Sequence, residues 1–467
     1  MPNNLTTNTI CALATPAGGA IGVVRVSGFE AIKIADHIFK AKSGRKLANA
    51  KGNTLHYGEI VNHNRETIDD VMASVYRAPF SYTGEDAVEF SCHGSQYILQ
   101  EVLHLLIQNG CRQAEPGEYT QRAYLNGKMD LSQAEAVADL IASTNRATHK
   151  MAISQLKGHF SNELILLRDR LLKMTSLLEL ELDFSDHEEL EFADRKQLLE
   201  LACQIDEKIT SLIQSFETGN ALKNGIPVAI VGKTNVGKST LLNRLLHEER
   251  AIVSDIHGTT RDTIEDTTLI NGVAFRFIDT AGIRETNDTI ESLGIERTFQ
   301  KLRQASIVLW VIDLNTPAEQ IEELAKVIIP KAEDKKVILV FNKSDLLSSD
   351  ELELKQQLLN NIPADRIYIS AKQQENTEVL KQHLIQAAAL PKVSQNDVIV
   401  TNIRHYEALT KAHEAILRVI NGLEMNISSD FLSQDIRECM HYLGEITGQI
   451  SNDEILGNIF GKFCIGK

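Results

Sequence analysis

Hydrophobic and polar positions alternate along this chain with two periods, and the changes of period divide it. Over 20–26 and 68–76 apolar and polar residues alternate well enough for strands, and 86–90 reads as a third. Glycine and proline punctuate the same region at Pro16, Gly18, Gly19, Gly84, Gly94, Pro116 and Gly117. Residues 1–120 therefore read as an α+β domain. From 121 to 223 prolines vanish, and apolar residues recur at helical spacing, notably over 131–141 and 162–180. Ser132 and Glu135 are spaced as a capping box for the first of these helices.

Between 224 and 389 short apolar runs at 228–231, 273–278, 307–312, 337–341 and 367–370 alternate with helical or loop sequence. That order predicts a doubly wound, mainly parallel sheet covered on both faces, with its ligand beyond the carboxyl ends of the strands. Beyond 390 the helical period returns, over 406–422 and 430–446. Helical sequence on both flanks predicts one discontinuous helical bundle with the α/β domain inserted; two separate bundles are the alternative. The domains so drawn are 1–120, 121–223, 224–389 and 390–467.

Length and composition add little to this pattern. A chain of 467 residues suits about three domains on a prior of ~150 residues each. No run approaches the ~18 apolar residues of a membrane span, and the first residues carry neither a secretory nor an Arg-rich transit pattern. Cys11, Cys92, Cys111, Cys203, Cys439 and Cys464 are scattered without a Cys-x-x-Cys pair, which fits a reducing cytoplasm. A net charge of −15, from 48 basic and 63 acidic residues, disfavours a nonspecific nucleic-acid coat and leaves an RNA partner undecided. The acidic stretch 181–194 shares no metal-ligand spacing and reads as a solvated helix end or turn.

The chemistry concentrates in the α/β domain. Gly232-x4-Gly237-Lys238-Ser239 follows a β-branched run and precedes a helix-like Leu241-Leu242, the context a phosphate loop needs. Glycines let the backbone wrap phosphates, and the helix N-terminus aims free N–H groups at them. Within it Asn235, Val236 and Thr240 contribute contacts, Lys238 reaches the β/γ-phosphates, and Ser239 ligates Mg²⁺. Asp279-Thr280-Ala281-Gly282 ends the next strand, where Asp279 can hold Mg²⁺ through water and Gly282 leaves its amide free for the γ-phosphate. Asn342-Lys343-Ser344-Asp345 ends a third strand; the Asp345 carboxylate can accept both N1–H and the amino group of guanine, a donor pair adenine lacks. Ser370-Ala371-Lys372 follows as a base-contacting turn. Four motifs in order, each at a strand end, predict a GTP-binding domain.

Catalysis departs from the common pattern. Ile283 follows the Asp-x-x-Gly motif where many GTPases carry a water-orienting glutamine. Arg284 beside it is a catalytic candidate. A monovalent cation caged by Asn235 and the stretch Ser254-Asp255-Ile256-His257-Gly258-Thr259-Thr260-Arg261-Asp262 is another solution; alternatively, Asn235 only stabilises its turn. In the first domain Arg25 and Glu89 are charges on apolar strands, which need partners when buried; a surface-facing position on an antiparallel strand is the plainer reading. His93 reads as a packed or turn histidine.

Several stretches together resemble the MnmE (TrmE) family of tRNA-modification GTPases. They are Gly258-Thr259-Thr260-Arg261-Asp262, Ala14-Thr15-Pro16, Tyr82-Thr83-Gly84-Glu85-Asp86, Leu125-Asn126-Gly127-Lys128, Asp130-Leu131-Ser132-Gln133 and the terminal Phe463-Cys464-Ile465-Gly466-Lys467. The resemblance implies an N-terminal tetrahydrofolate-binding and dimerisation domain, a helical domain made from both flanks, and an inserted Ras-like P-loop GTPase domain. It implies a homodimer working with the flavoprotein MnmG (GidA), which carries FAD, in a heterotetramer or larger. Together they would add an aminomethyl or carboxymethylaminomethyl group to carbon 5 of the wobble uridine of certain tRNAs. The one-carbon unit would come from 5,10-methylenetetrahydrofolate or 5-formyltetrahydrofolate. By position Arg25, Glu89, Lys128 and Lys467 match folate-contacting residues, K⁺ falls to Asn235, Ser254, Ile256 and Thr259, and Mg²⁺ to Ser239 and Thr260. Glu291 matches a glutamate that orients water through a second water. Cys464 becomes a candidate catalytic or structural thiol near the folate pocket. The competing reading is a regulatory GTPase that times ribosome assembly or signalling without one-carbon chemistry.

Overall fold

The computed structural model describes residues 8–183, 194–247, 266–278, 304–332, 335–360, 362, 364–389, 397–450, 453–461 and 463–466. They fall into two compact units: one comprises 1–138, 155–201 and 414–467, the other 139–154 and 202–413.

The first unit is built on seven strands: β1 (Ile10–Leu13), β2 (Ile21–Ser27), β3 (Phe39–Ala41), β4 (Thr54–Val61), β5 (Thr67–Tyr76), β6 (Ala87–His93) and β7 (Arg112–Gln113). They lie in the order β3-β4-β5-β6-β2-β1-β7, antiparallel except for β1 with β7. One face is dry. Alternate residues Val24, Val26, Val71, Ala73, Val75, Val88 and Phe90 share a core with Ile34 and Ile38 of helix α1 (Ala31–Ile38) and Leu99, Val102 and Leu106 of α2 (Gln96–Gln108). On the other face Tyr119 of α3 (Glu118–Leu125) packs with Ile10, Ala12 and Ala114. The period-2 pattern predicts β2, β5 and β6 well; β1, β3, β4 and β7 carry no comparable signal.

The cap of helix α4 (Leu131–Ala142) lies two residues before the predicted one. Asp130, not Ser132, opens it: the Asp130 carboxylate accepts the Gln133 N–H at 2.9 Å, and the Gln133 side chain accepts the Asp130 N–H at 2.9 Å. A carboxylate serves as well as a hydroxyl in this reciprocal cap. Helix α5 (Arg146–Leu156) follows, then α6 (His159–Asp183) and α7 (Arg195–Asn224). Phe160, Leu164, Leu167, Leu171, Met174 and Leu178 are buried along α6 at alternating spacings of four and three. That stripe packs along the helix Ser429–Thr447, whose buried Leu432, Ile436, Cys439, Leu443 and Ile446 repeat the same spacing.

The second unit holds the predicted α/β domain: β8 (Ile226–Val231), α8 (Lys238–His247), β9 (Asp266–Ile270), β10 (Val273–Phe277), β11 (Ile307–Asp313), α9 (Ala318–Lys331), β12 (Lys336–Asn342), α10 (Ser349–Leu358), β13 (Asp365–Tyr368) and α11 (Thr377–Ala388). Strand order is β13-β12-β11-β8-β10-β9, parallel except that the edge strand β9 runs antiparallel to β10. Strand β11 shows why both faces are covered. Ile307, Leu309 and Val311 join a core with Leu241, Leu245, Leu380 and Leu384, while Val308, Trp310 and Ile312 join another with Ile321 and Ala325. In this unit Phe216 of α7 stacks on Tyr406 at 4.5 Å between centroids, and His413 meets Asp206 at 2.7 Å. Tyr406 lies on α12 (Ile403–Glu424), after which come α13 (Ser429–Thr447) and α14 (Asp453–Phe460).

Candidate functional site

Strand β8 ends at Val231 and α8 begins at Lys238, so the glycine motif forms the loop between them, as predicted. Asn235 has φ +62° and Gly237 φ +96°, turns that bring the backbone around toward the helix N-terminus. Gly237 has no substitute there, since a Cβ would stand 2.2 Å from Asn342 Nδ2. Lys238 folds across the loop, donating to the carbonyls of Gly232 at 2.7 Å and Lys233 at 2.6 Å. Its ammonium is thereby held at the loop, and Ser239 and Thr240 follow it in the first turn of α8, the end of a helix that favours an anion. Asn235 is exposed at the loop apex.

One buried side chain joins three of the predicted motifs. Asn342 Nδ2 donates to Val236 O at 2.8 Å, and Asn342 Oδ1 accepts the Ala371 N–H at 3.0 Å. The phosphate loop, the Asn342–Asp345 turn and the Ser370–Lys372 turn are thus fixed to one another. Lys343 takes a left-handed backbone, φ +69°. The turn is closed by Ser344 N–H on Ile369 O at 3.1 Å and Leu346 N–H on Lys343 O at 3.1 Å. It leaves Asp345 exposed, with its carboxylate open to a base. Ser370 is buried and its hydroxyl accepts the Gln373 N–H at 3.1 Å. Ser254, Asp255, Ile256, Gly258, Thr259, Thr260, Asp279, Thr280, Ala281, Gly282, Arg284, Glu291 and Lys467 lie outside the described residues.

The first unit gathers a second site. Arg25 and Glu89 are register partners on β2 and β6, and Arg25 Nε donates to Glu89 Oε1 at 2.7 Å. The guanidinium lies 5.7 Å from the Tyr82 ring centroid and 5.4 Å from that of Tyr119. Arg25 Nη1 donates to Gly466 O at 3.3 Å, so the end of the chain reaches the same group. The tail is anchored in passing: Gly117 N–H donates to Cys464 O at 3.3 Å, and Ile465 bridges Pro116. Gly466, at φ +96°, lies so close to Leu13 O that a Cβ would be 2.2 Å away. The Cys464 side chain itself is exposed. Lys128 donates to Pro79 O at 2.9 Å, and its stem flanks Gly84 in the same loop that carries Tyr82.

Beneath that loop lies a charge network absent from the sequence reading. Arg122, fully buried, bonds Glu85 Oε1 at 3.0 Å, Glu118 Oε1 at 2.9 Å and Asn8 O at 2.8 Å, and Arg112 bonds Glu118 Oε2 at 3.0 Å. Burial alone would raise the Glu118 carboxyl; hydrogen bonds from Arg112, the Glu115 N–H and Arg122 hold it below its ordinary value. Glu85 in turn accepts Ser27 Oγ at 2.8 Å, and Tyr82 OH shares a hydrogen bond with Thr120 Oγ1 at 2.9 Å. Tyr82, Tyr119, Glu85 and Arg122 were missed as site residues, although Tyr82 and Glu85 stand in the stretch that carries the resemblance. His93 differs from expectation: it is exposed at the end of β6, its Nδ1 2.6 Å from the buried Asp69 carboxylate.

The family model for the GTP-binding protein TrmE N-terminus matches residues 9–128, and that for the MnmE helical domain matches 131–464. The tRNA modification GTPase MnmE of Bacteroides thetaiotaomicron is 61% identical over 98% of this chain and 99% of its own length. That of Bacteroides fragilis is 62% identical over the same shares. Among solved structures, Era of Aquifex aeolicus bound to GDP.AlF4- is 29% identical, covering 41% of this chain and 66% of its own, with a TM-score of 0.27. Family models over both flanks and relatives above 60% identity along 98% of the sequence agree, and the chain belongs to the MnmE family of tRNA modification GTPases.

Proposed function

We propose that this chain is a K⁺-activated GTPase that, as a homodimer paired through its N-terminal domain and with the flavoprotein MnmG, modifies carbon 5 of the wobble uridine of tRNA. The domain limits 1–120, 121–223, 224–389 and 390–467 are part of the same reading, as is work in the cytoplasm. The observation that carries it is the setting of Arg25, reached by Glu89, two tyrosine rings and the carbonyl of Gly466. A regulatory switch needs no such site.

In the GTP site the loop amides and Lys238 bind the phosphates, and Asp345 reads guanine while Asn342 keeps both halves in register. Ser239, in the first turn of α8, and Thr260 would hold Mg²⁺; a helix-start hydroxyl suits a hard cation that keeps several waters. Asn235, whose carboxamide oxygen is likewise a hard donor, would hold K⁺ with Ser254, Ile256 and Thr259. The bound cation supplies positive charge where an arginine finger acts elsewhere. Glu291 orients the attacking water in place of the glutamine that Ile283 displaces.

The donors around Arg25 suit a reduced folate. Aromatic faces and the Glu89 carboxylate match the flat, amino-bearing pterin, and the ammonium groups of Lys128 and Lys467 match its glutamate carboxylates. The folate supplies the one-carbon unit; Arg25 and Glu89 orient it, and Cys464 stands in the adjoining tail. FAD belongs to MnmG. Hydrolysis of GTP drives the conformational step that modification requires.

The test is reconstitution: this chain, FAD-loaded MnmG, tRNA, GTP, methylene-labelled tetrahydrofolate and an amine (ammonium for the aminomethyl group, glycine for the carboxymethylaminomethyl group) in K⁺ buffer. Label in the wobble uridine, lost on replacing K⁺ by Na⁺, is the expected result. Hydrolysis of GTP without any transfer of label would favour the regulatory reading.

A further inference from the structure

Lys343 sits in a backbone conformation that side-chain-bearing residues rarely adopt, φ +69°, and such turns persist only where their surroundings over-determine them. Backbone hydrogen bonds on both sides account for part of this. The side chain supplies the rest. Lys343 Nζ lies 2.6 Å from Asp313 Oδ2.

Asp313 is well placed to hold it. It is the last residue of β11 and the register partner of Asn342, the residue just before Lys343. Its other oxygen accepts the Asn315 N–H at 2.9 Å and Asn315 Nδ2 at 3.0 Å, so the carboxylate has one orientation. Burial alone would raise this carboxyl; the bonds from Lys343 and Asn315 hold it below its ordinary value. The other cation nearby, Lys355, is engaged by the carbonyls of Leu314 and Thr316. The flexible stem of Lys343 would otherwise leave its ammonium with many rotamers to choose among.

We infer that Asp313 is a positioning residue for guanine selection, clamping Lys343 so that the strained turn presents Asp345 to the base. This rests on the reading of 342–345 as the guanine-contacting turn. Asp313 touches no substrate; its effect passes through Lys343.

The test titrates GDP and inosine diphosphate, which lacks the 2-amino group, into the full chain and its variants by calorimetry. Asp313→Ala and Asp313→Asn should each weaken GDP about tenfold, the scale of one charge-assisted hydrogen bond. Both should narrow the preference for GDP over inosine diphosphate, and Asp313→Glu should restore part of it. The ratio is insensitive to a general loss of folded protein. Wild-type behaviour of Asp313→Asn would show that only the Asn315 turn matters and would overturn the inference, as would equal losses for both nucleotides. Asp345→Asn is the control. If it leaves the preference intact, the guanine reading fails and the inference with it; if it abolishes the preference while Asp313→Ala does not, the inference alone fails.

Discussion

Asn342 donates its side-chain N–H to the carbonyl of Val236 at 2.8 Å, joining the turn after β12 to the phosphate loop after β8. Both groups are buried, and Asn342 is 3% exposed. Replacing Asn342 by Ala strands the Val236 carbonyl and the Ala371 N–H together. The expected loss is about 2 kcal/mol of GDP binding, a roughly 30-fold rise in Kd. Calorimetric titration of GDP checks it, and an unchanged Kd would show that the brace is dispensable.

Gly237→Ala should be harsher. The new methyl meets Asn342 Nδ2 at 2.2 Å and must occupy a residue with φ +96°. GDP should no longer raise the melting temperature of the variant, the stabilisation that binding to the native state confers. A normal GDP-induced shift would contradict the geometry.

The Arg122 network predicts both a substitution effect and a pH effect. Arg122→Met leaves Glu118 buried with fewer partners, and should destabilise the first unit by about 3 kcal/mol, read as an earlier thermal transition. The Glu118 carboxyl is held below its ordinary value, so the folded state binds fewer protons there than the unfolded one. Its contribution is therefore present above the unfolded pKa and is lost as pH falls through the lower, folded one. Wild type should lose stability on acidification, and Arg122→Met should lose less, because only Arg112 and the Glu115 N–H still hold the carboxyl down.

Matched buffers test the cation. GTP hydrolysis should be strongly stimulated by K⁺ over Na⁺, and Asn235→Ala should abolish the stimulation. Equal rates in the two salts would make Asn235 a turn residue and assign the missing positive charge to a partner's side chain.

Much of this was legible in the residues. The phosphate loop, the Asn342–Asp345 turn and Ser370–Lys372 were readable because local spacing and a preceding apolar strand suffice to define them. The pairing of Arg25 with Glu89 was not, because register between strands 64 residues apart leaves no local signal. Asp313 went unnoticed for the same reason: as the last residue of an apolar strand it looks like a solvated end until β12 is laid beside it. Arg122 carries its charge on a short amphipathic helix, where an arginine ordinarily faces water; only Glu85 and Glu118 explain its burial. The cap of α4 is not where the spacing predicts because Ser132-x-x-Glu135 and Asp130-x-x-Gln133 compete within six residues, and the hydrogen bonds choose the second.

The most direct test of a one-carbon site on this chain is titration of 5-formyltetrahydrofolate into the wild type and Arg25→Met, read by calorimetry. The account predicts saturable binding by the wild type and its loss in the variant, with the thermal transition of the first unit still present. Absence of binding by the wild type, or equal binding by both, would contradict it.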